Sequence, residues 1–183
     1  AAGKIVFLNQ RGEVLLEEFH RNRREALEAF RGKNAETTAA PKKPDYLRAL
    51  VSALEIDARE FTPILGGDYE LTARFESNPT EKLFGMGQYQ QPHLNIKGCT
   101  LELAHRNSQA SVPFVLSSLG YGFLWHNPAI GKATFGTNVT EWYAHSTDIL
   151  DYWITAGDTP AEIEEAYARA TGTVPMMPEF AMG

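Results

Sequence analysis

Short segments in which apolar and polar residues alternate occur along most of this chain, and this pattern predicts β-strands. The clearest region is 113–128, PFVLSSLGYGFLWHNP, where apolar runs at 114–116 and 123–125 flank Gly120 and Gly122. Each run is too short for a buried helix and is rich in residues that suit a pleated sheet. Glycine adopts a positive φ at no steric cost, so the glycine pair permits a tight reversal. We therefore predict a hairpin at the centre of a β-sheet core.

Residues 69–76 show the cleanest alternation in the chain. Their apolar members occupy every second position: Tyr69, Leu71, Ala73 and Phe75. This spacing indicates a strand with one buried face. Further strands are predicted at 4–8 and 13–17 on either side of a turn at 9–12, at 53–58, around 101–103 and in a long run at 141–156. The chain is therefore predicted to be mainly β, a sandwich or an open barrel.

Two segments predict helices. Residues 21–31, RNRREALEAFR, combine helix formers with an apolar face, and the Pro-, Ala-, Thr- and Lys-rich segment 33–44 then predicts an exposed loop. The stronger signal lies near the C-terminus, where Thr159 is the predicted N-cap, Pro160 fits the first turn and Glu162 completes a capping box. The apolar face and the end of this helix are marked by Ile163, Ala166, Tyr167, Ala170 and Gly172.

Composition narrows the class of protein. With 183 residues the chain is one domain or slightly more, and 43% hydrophobic residues can bury a core without cross-links. The net charge of −6 argues against a nucleic-acid partner. The single cysteine, Cys99, excludes an internal disulfide and favours a cytoplasmic protein. No apolar run approaches the roughly 20 residues of a membrane span, so no membrane partner is predicted. The oligomeric state is not readable from the sequence.

The residue types that carry most enzyme chemistry form no constellation here. Ser117 and Ser118 lie in a predicted strand rather than on a G-x-S-x-G elbow. Asp148 and Asp151 fall on opposite faces of the predicted 141–156 strand, so they are poor partners for a glycosidase. No cofactor motif is present. The histidines make no ligand-spaced pairs, so no metal site is predicted; they are His20, His93, His105, His126 and His145.

Three features offer binding chemistry, and each has a structural alternative. Arg106-Asn107 lies in a polar segment between two predicted strands and is of a type that binds sugar hydroxyls, although spacing alone favours a hydrogen-bonded loop edge. Gly85 and Gly87 allow backbone to approach a ligand or simply permit a bend. An aromatic-rich region is typical of sugar-stacking platforms, although core packing is favoured for each member: Trp125, Trp142, Tyr143, Tyr152 and Trp153.

The order of several motifs resembles the N-terminal region of glycoside hydrolase family 31, which contains α-glucosidases and α-xylosidases. The motifs are LFGMGQ at 83–88, AHRN at 104–107, the hairpin at 113–128, ILDYWITAGDTPAEI at 149–163 and TGTVPMMPEFAMG at 171–183. The resemblance covers residues 65–183 well and the N-terminal third loosely. No single motif is decisive, but five in the same order are specific.

The resemblance implies a galactose-mutarotase-like β-sandwich at 1–157. Residues 158–183 would form a linker helix and the truncated start of a (β/α)8 barrel, with PEFAMG as its first strand. The family removes terminal α-linked glycosyl residues with retention, using an aspartate nucleophile and a second carboxyl group. Both belong to the barrel, so this chain is expected to be part of an α-glycosidase while lacking the catalytic pair. Its expected partners are its own barrel and an oligosaccharide substrate.

The resemblance also suggests where the sandwich contributes to the site. In the family a sandwich loop helps to shape the substrate entrance, often through an Arg-Asp pair. Arg106 and Asn107 align with that loop, with asparagine where many relatives have aspartate. Gly85, Gly87 and Gln88 are similarly placed near the entrance and are expected to be mostly structural.

Two other functions stay open. An autonomous carbohydrate-binding module would bind sugars through an exposed aromatic platform. A free-standing aldose epimerase of the mutarotase type would need a His/Glu acid–base pair in a cleft, and the sequence singles out no such pair.

Overall fold

The computed structural model describes residues 3–22 and 55–182, which form thirteen β-strands, one α-helix and a short 3-10 helix. The strands are β1 (Val6–Leu8), β2 (Val14–Glu17), β3 (Arg21–Asn22), β4 (Glu55–Ile56), β5 (Arg59–Pro63), β6 (Tyr69–Glu76), β7 (Leu83–Gln88), β8 (Thr100–Leu103), β9 (Ala110–Ser117), β10 (Tyr121–Trp125), β11 (Gly131–Phe135), β12 (Val139–Thr147) and β13 (Tyr152–Ala156). The helices are α1 (Pro160–Thr171) and the 3-10 helix (Glu179–Met182). The predicted fold class, mainly β with one C-terminal helix, is confirmed. No helix within the described ranges is long and apolar enough to cross a membrane.

Two predicted features fall largely outside the described residues. The helix predicted at 21–31 is described only at Arg21–Asn22, which form β3 and pair with β4. The helix prediction is therefore wrong for these two residues, and the remainder of that segment lies outside the described ranges. The loop predicted at 33–44 lies wholly outside them. The weak strand predicted at 53–58 is described at Glu55–Ile56, where it is confirmed as β4.

The chain divides into two compact units, each built from segments that are separated in sequence. The first unit contains Ala1–Pro79, Gly98–Leu103 and Ala129–Leu150. The second contains Thr80–Lys97, Ala104–Pro128 and Asp151–Gly183. The β-rich run predicted at 141–156 is therefore two strands, because β12 belongs to the first unit and β13 to the second. Asp148 and Asp151 lie in the connection between them, so the prediction that they share one strand is wrong.

A five-stranded antiparallel sheet in the order β5-β6-β12-β11-β8 forms the main part of the first unit, which also holds the predicted hairpin β1–β2. The predicted buried face of β6 is confirmed at Leu71, Ala73 and Phe75, whereas Tyr69 at the start of the strand is exposed. On the neighbouring β12, Trp142 is only 1% exposed. This ring therefore contributes to the core of the sheet and offers no surface for sugar stacking.

Two carboxylates pair with arginines at the N-terminal side of the first unit. Glu18 is buried, accepts a hydrogen bond from the Ile5 backbone N–H at 2.9 Å and forms an ion pair with Arg59 Nε at 3.0 Å. Arg21 Nη2 donates to Glu76 Oε2 at 2.8 Å. This hydrogen bond, together with the charge of the guanidinium, lowers the pKa of the Glu76 carboxyl below its ordinary value. The first pair ties the segment after β2 to the edge strand β5, and the second ties β3 to the end of β6.

A four-stranded antiparallel sheet in the order β13-β10-β9-β7 forms the second unit. The predicted hairpin is β9–β10, and it supplies the two central strands, as expected. Its turn uses Gly120, whose φ is +88°. Gly122 lies inside β10 instead, so its predicted part in the reversal is wrong. A Cβ at Gly122 would come within 2.5 Å of Phe114 Cζ and 2.7 Å of Ile163 Cγ2, so this glycine makes room for packing.

Helix α1 packs on the sheet of the second unit and follows the prediction closely. Thr159 is the N-cap, and the capping box with Glu162 is complete in both directions. Ile163 is 1% exposed, and the ring of Tyr167 lies with its centroid 4.4 Å from that of Phe114. After Gly172 the chain continues to the 3-10 helix Glu179–Met182, where the family resemblance implies the first strand of a barrel. The boundary at 157/158 and the barrel assignment stay predictions.

Candidate functional site

The segment containing Gly85 and Gly87 is an irregular strand. Gly85, Met86 and Gly87 have φ values of +103°, +72° and +92°, and the Met86 side chain is fully buried. Between Gly85, which pairs with Val115, and Gly87, which pairs with Ser111, β7 advances two residues while β9 advances four. The extra residues of β9 form a bulge. Bulges bend a strand and are frequent next to functional sites, where they redirect side chains.

The two glycines are required sterically at this bulge. A Cβ at Gly85 would lie 2.8 Å from the carbonyl oxygen of Phe114. At Gly87 it would lie 2.3 Å from the carbonyl oxygen of Ala110 and 2.8 Å from the backbone nitrogen of Val112. Both contacts are with backbone, which has little freedom to move aside. Of the two alternatives that the sequence leaves open, close approach to the neighbouring strand accounts for both glycines without a ligand.

Arg106 and Asn107 belong to a tight turn at 106–109 that precedes β9. Arg106 and Gln109 exchange backbone hydrogen bonds of 3.4 and 3.2 Å, and Gln109 Nε2 donates to the carbonyl oxygen of Ala104 at 3.2 Å. Both Arg106 and Asn107 are exposed. The turn therefore presents a guanidinium and an amide from a hydrogen-bonded frame rather than from an open loop.

The pairing of β7 with β9 brings three of the five predicted site residues to one end of the sheet. Gln88, the last residue of β7, pairs with Ala110, the first residue of β9 and the neighbour of the turn. Gln88 thus lies beside the turn that carries Arg106 and Asn107. Gly85 and Gly87 lie further along β7, where they set the path of the strand. An exposed polar surface at this sheet end is the candidate site.

A chain of hydrogen bonds that the sequence does not predict supports the same turn. Tyr89 Oη donates to Ser111 Oγ at 2.8 Å, and the Ser111 backbone N–H donates to His105 Nδ1 at 3.3 Å. The chain links the segment after β7, the start of β9 and the residue before Arg106. The bonded residues are 6 and 22 positions apart and come from different segments, so no local pattern could have indicated these contacts.

An exposed His–Asp pair lies at the same end of this sheet. His126 follows β10 and Asp151 precedes β13, and the last pair of these strands is Trp125 with Tyr152. His126 Nδ1 lies 2.6 Å from Asp151 Oδ2, and the His126 backbone N–H donates to the Asp151 carbonyl oxygen at 3.1 Å. The sequence indicates only that His126 is polar and near a hairpin. The pairing depends on β13 joining β10, a contact between distant segments.

The opposite end of the sheet holds a buried polar cluster around Glu81. Ser117 Oγ and Tyr121 Oη each donate to Glu81 Oε1 at 2.6 Å, and Lys97 Nζ donates to Oε2 at 3.1 Å. Burial raises the pKa of Tyr121 well above its ordinary value, and the charge of Glu81 adds to the effect. Because every partner is engaged within the fold, the cluster anchors the hairpin β9–β10. The sequence does not reveal it, since Glu81 follows a turn and precedes a lysine, as exposed residues do.

Neither a metal site nor a sugar-stacking platform emerges in the described part of the chain. Residues 3–22 and 55–182 contain no group of three or more His, Cys, Asp or Glu side chains that could hold a metal ion. In the second unit Trp125 is fully buried, Tyr152 stacks on Phe123 at 5.1 Å and Trp153 packs near Tyr167 at 6.2 Å. These contacts favour core packing for the three residues, whereas Tyr143 on β12 is half-buried with the Lys132 ammonium 5.5 Å from its ring centroid.

Comparison with known proteins gives clear relatives, although no protein-family model matches the chain. An uncharacterised family 31 glucosidase of Pseudescherichia vulneris is 56% identical over 181 residues, which is 99% of this chain and 32% of that protein. Alpha-xylosidase A of Aspergillus niger is 32% identical over 126 residues, which is 67% of this chain and 17% of that protein. The chain thus spans about a third or less of the length of these curated relatives.

Solved structures agree with the sequence relatives. The crystal structure of a GH31 alpha-xylosidase from a soil metagenome, complexed with xylose, matches 99% of this chain and 25% of its own length, with 55% identity and a TM-score of 0.81. A xylosidase from Aspergillus niger matches 97% of this chain and 21% of its own length, with 26% identity and a TM-score of 0.72. These matches confirm the fold and show that it corresponds to a minor part of much longer chains.

Proposed function

This chain belongs to glycoside hydrolase family 31, and on that premise we propose that it forms the non-catalytic N-terminal domain of an α-glycosidase. The whole enzyme removes terminal α-linked glucosyl or xylosyl residues. The observation that carries the proposal is coverage: a relative 56% identical over 99% of this chain matches it with only 32% of its own length. The remainder of such a protein has room for a catalytic barrel, which is then the partner of this domain.

The chemistry of the described residues supports a non-catalytic part. A retaining glycosidase needs two carboxyl groups about 5–5.5 Å apart, one of them free to attack the sugar. The buried carboxylates in the described ranges are Glu18 and Glu81, and each is already engaged by a cation and by hydrogen-bond donors. They stabilise strands and offer no nucleophile. The catalytic pair is accordingly assigned to the remainder of the enzyme.

We further propose that the turn carrying Arg106 and Asn107 helps to shape the substrate entrance, with Gln88 beside it. A guanidinium offers five N–H donors, and an amide offers both donors and an acceptor, so together they can bind neighbouring sugar hydroxyls. The amide of Asn107 is uncharged, whereas an aspartate at this position would add a negative charge to the turn. The frame of the turn keeps both groups in place, which lowers the entropy lost on binding.

The first test compares the chain with the complete enzyme that contains it. We expect the complete enzyme to hydrolyse 4-nitrophenyl α-xyloside or α-glucoside, and the purified 183-residue chain to hydrolyse neither. In the complete enzyme, Arg106→Ala should raise KM by roughly 10-fold or more, the loss of one charge-assisted hydrogen bond. Arg169→Ala is the matched control, because Arg169 is an exposed arginine on α1 paired with Glu165. Turnover by the isolated chain would contradict the proposal.

A further inference from the structure

His105 is held in one orientation by a bond to the backbone of β9. Its Nδ1 accepts the Ser111 backbone N–H at 3.3 Å, and the hydroxyl of Tyr89 holds the Ser111 side chain at 2.8 Å. The residue is exposed and directly precedes Arg106 on the turn. The imidazole is thus part of the same polar surface as the two residues of the proposed entrance.

The direction of this bond determines where the ring proton lies. A neutral imidazole has one N–H donor and one acceptor nitrogen, and the partner of one nitrogen sets the role of the other. Because Nδ1 accepts from a backbone N–H, which can only donate, the proton must be on Nε2. That nitrogen is on the far side of the ring from Ser111. The ring therefore offers a fixed N–H donor away from the sheet.

We propose that His105 is a third substrate-binding residue of this turn, donating its Nε2–H to a hydroxyl oxygen of the glycoside. The inference rests on the proposed function, since it places the substrate at the same turn. A neutral donor complements the guanidinium of Arg106 and the amide of Asn107. The ring is oriented before the sugar arrives, so a single hydrogen bond is made without ordering a flexible side chain.

Substitution of His105 by asparagine and by glutamine tests the roles of the two ring nitrogens separately. In His105→Asn the side-chain oxygen can take the place of Nδ1 and accept the Ser111 N–H, but the distant donor is lost. In His105→Gln the longer amide can place an N–H near the position of Nε2, but the Nδ1 acceptor is lost. A purely structural role therefore predicts that asparagine is tolerated and glutamine is not, and a substrate-binding role predicts the reverse for KM.

The experiment measures kcat, KM and thermal unfolding of the complete enzyme with 4-nitrophenyl α-xyloside and α-glucoside. We expect His105→Asn to raise KM about five- to tenfold, the loss of one neutral hydrogen bond, with an unchanged melting temperature. His105→Gln should keep a KM within about twofold of the parent, because the donor is retained. His145→Asn is the matched control, since His145 is an exposed histidine of the first unit.

The outcomes separate this inference from the proposed function. If His105→Asn leaves KM unchanged while Arg106→Ala raises it, the turn binds substrate and the role of His105 is overturned. If His105→Gln raises KM as much as His105→Asn does, the proposed role of the Nε2–H as hydrogen-bond donor to the substrate is overturned. If neither Arg106→Ala nor His105→Asn alters KM in an active enzyme, the entrance itself is overturned, and the inference with it.

Discussion

Backbone strain at β7 lies next to the polar turn. A non-glycine residue with positive φ costs about 1–2 kcal/mol, and Met86 accepts this conformation with its side chain fully buried. The glycines on either side also have a positive φ, without that cost. Gln88 and Tyr89 directly follow this strained backbone. Its conformation therefore determines where the segment after β7 meets the turn. The residues that set the geometry of the candidate site are thus distinct from those that would contact a ligand.

Gly87 offers a direct test of this geometry. In Gly87→Ala the new Cβ would lie 2.3 Å from the Ala110 carbonyl oxygen, and the alanine would have to adopt a strained, positive φ. We expect a loss of about 3 kcal/mol in the free energy of unfolding, from strain and overpacking combined. Gly98→Ala is the matched control, because Gly98 has a φ of +89° and a Cβ added there would meet no other atom within 4 Å.

The control should lose only about 1–2 kcal/mol, the strain alone. Urea unfolding of the 183-residue chain, followed by circular dichroism, measures both variants. Equal losses in the two variants would show that the contact with β9 is not tight.

Single residues also show what the sequence could not reveal. The spacing of Gly85 and Gly87 marks an unusual backbone, but choosing between a bend and a ligand site required the position of β9. Glu81 has the local sequence of an exposed residue, and it is buried only because Ser117, Tyr121 and Lys97 converge on it from other segments. Local patterns carry no information about partners that are brought together by the fold.

At the scale of elements, local chemistry decides which predictions succeed. Helix α1 is predictable from its N-cap to its end because capping residues and the apolar face lie within one short segment. The run at 141–156 predicts one strand because its apolar residues continue through the connection at 148–151. A change from one sheet to another leaves the alternation intact, so the pattern cannot distinguish one long strand from two. The strand content could be predicted, but the sheet membership could not.

The cap of α1 yields a prediction at this scale. Thr159→Ala removes the oxygen that accepts the Glu162 backbone N–H at 3.3 Å. We expect the free energy of unfolding to fall by about 1 kcal/mol, as for other N-cap substitutions. Thr159→Ser, which keeps the hydroxyl, should stay within about 0.5 kcal/mol of the parent. Urea unfolding followed by far-ultraviolet circular dichroism measures both, and an alanine variant as stable as the parent would argue that the cap is dispensable.

At the scale of the whole molecule, the exposed polar groups of the candidate site lie at one end of the sheet in the second unit. The turn at 104–109, Gln88 and the pair His126–Asp151 all belong to this end, whereas the Glu81 cluster holds the other. Such a division suits a domain that contributes one surface to a larger site. It is less suited to an autonomous sugar-binding module, because Trp125 and Trp142 are buried.

Sugar binding by the isolated chain distinguishes these two functions. Arg106, Asn107 and His105 can make only a few hydrogen bonds with a sugar. Without further contacts from the rest of the enzyme, the free energy of these bonds does not exceed the entropic cost of association. We expect calorimetric titration of the 183-residue chain with xylose or maltotriose to give no saturable heat with a Kd below about 1 mM. The complete enzyme, with its hydrolysis abolished by substitution of the proposed catalytic nucleophile, is the positive control. Saturable binding by the isolated chain that survives Arg106→Ala would favour an autonomous module and a binding surface elsewhere on the domain.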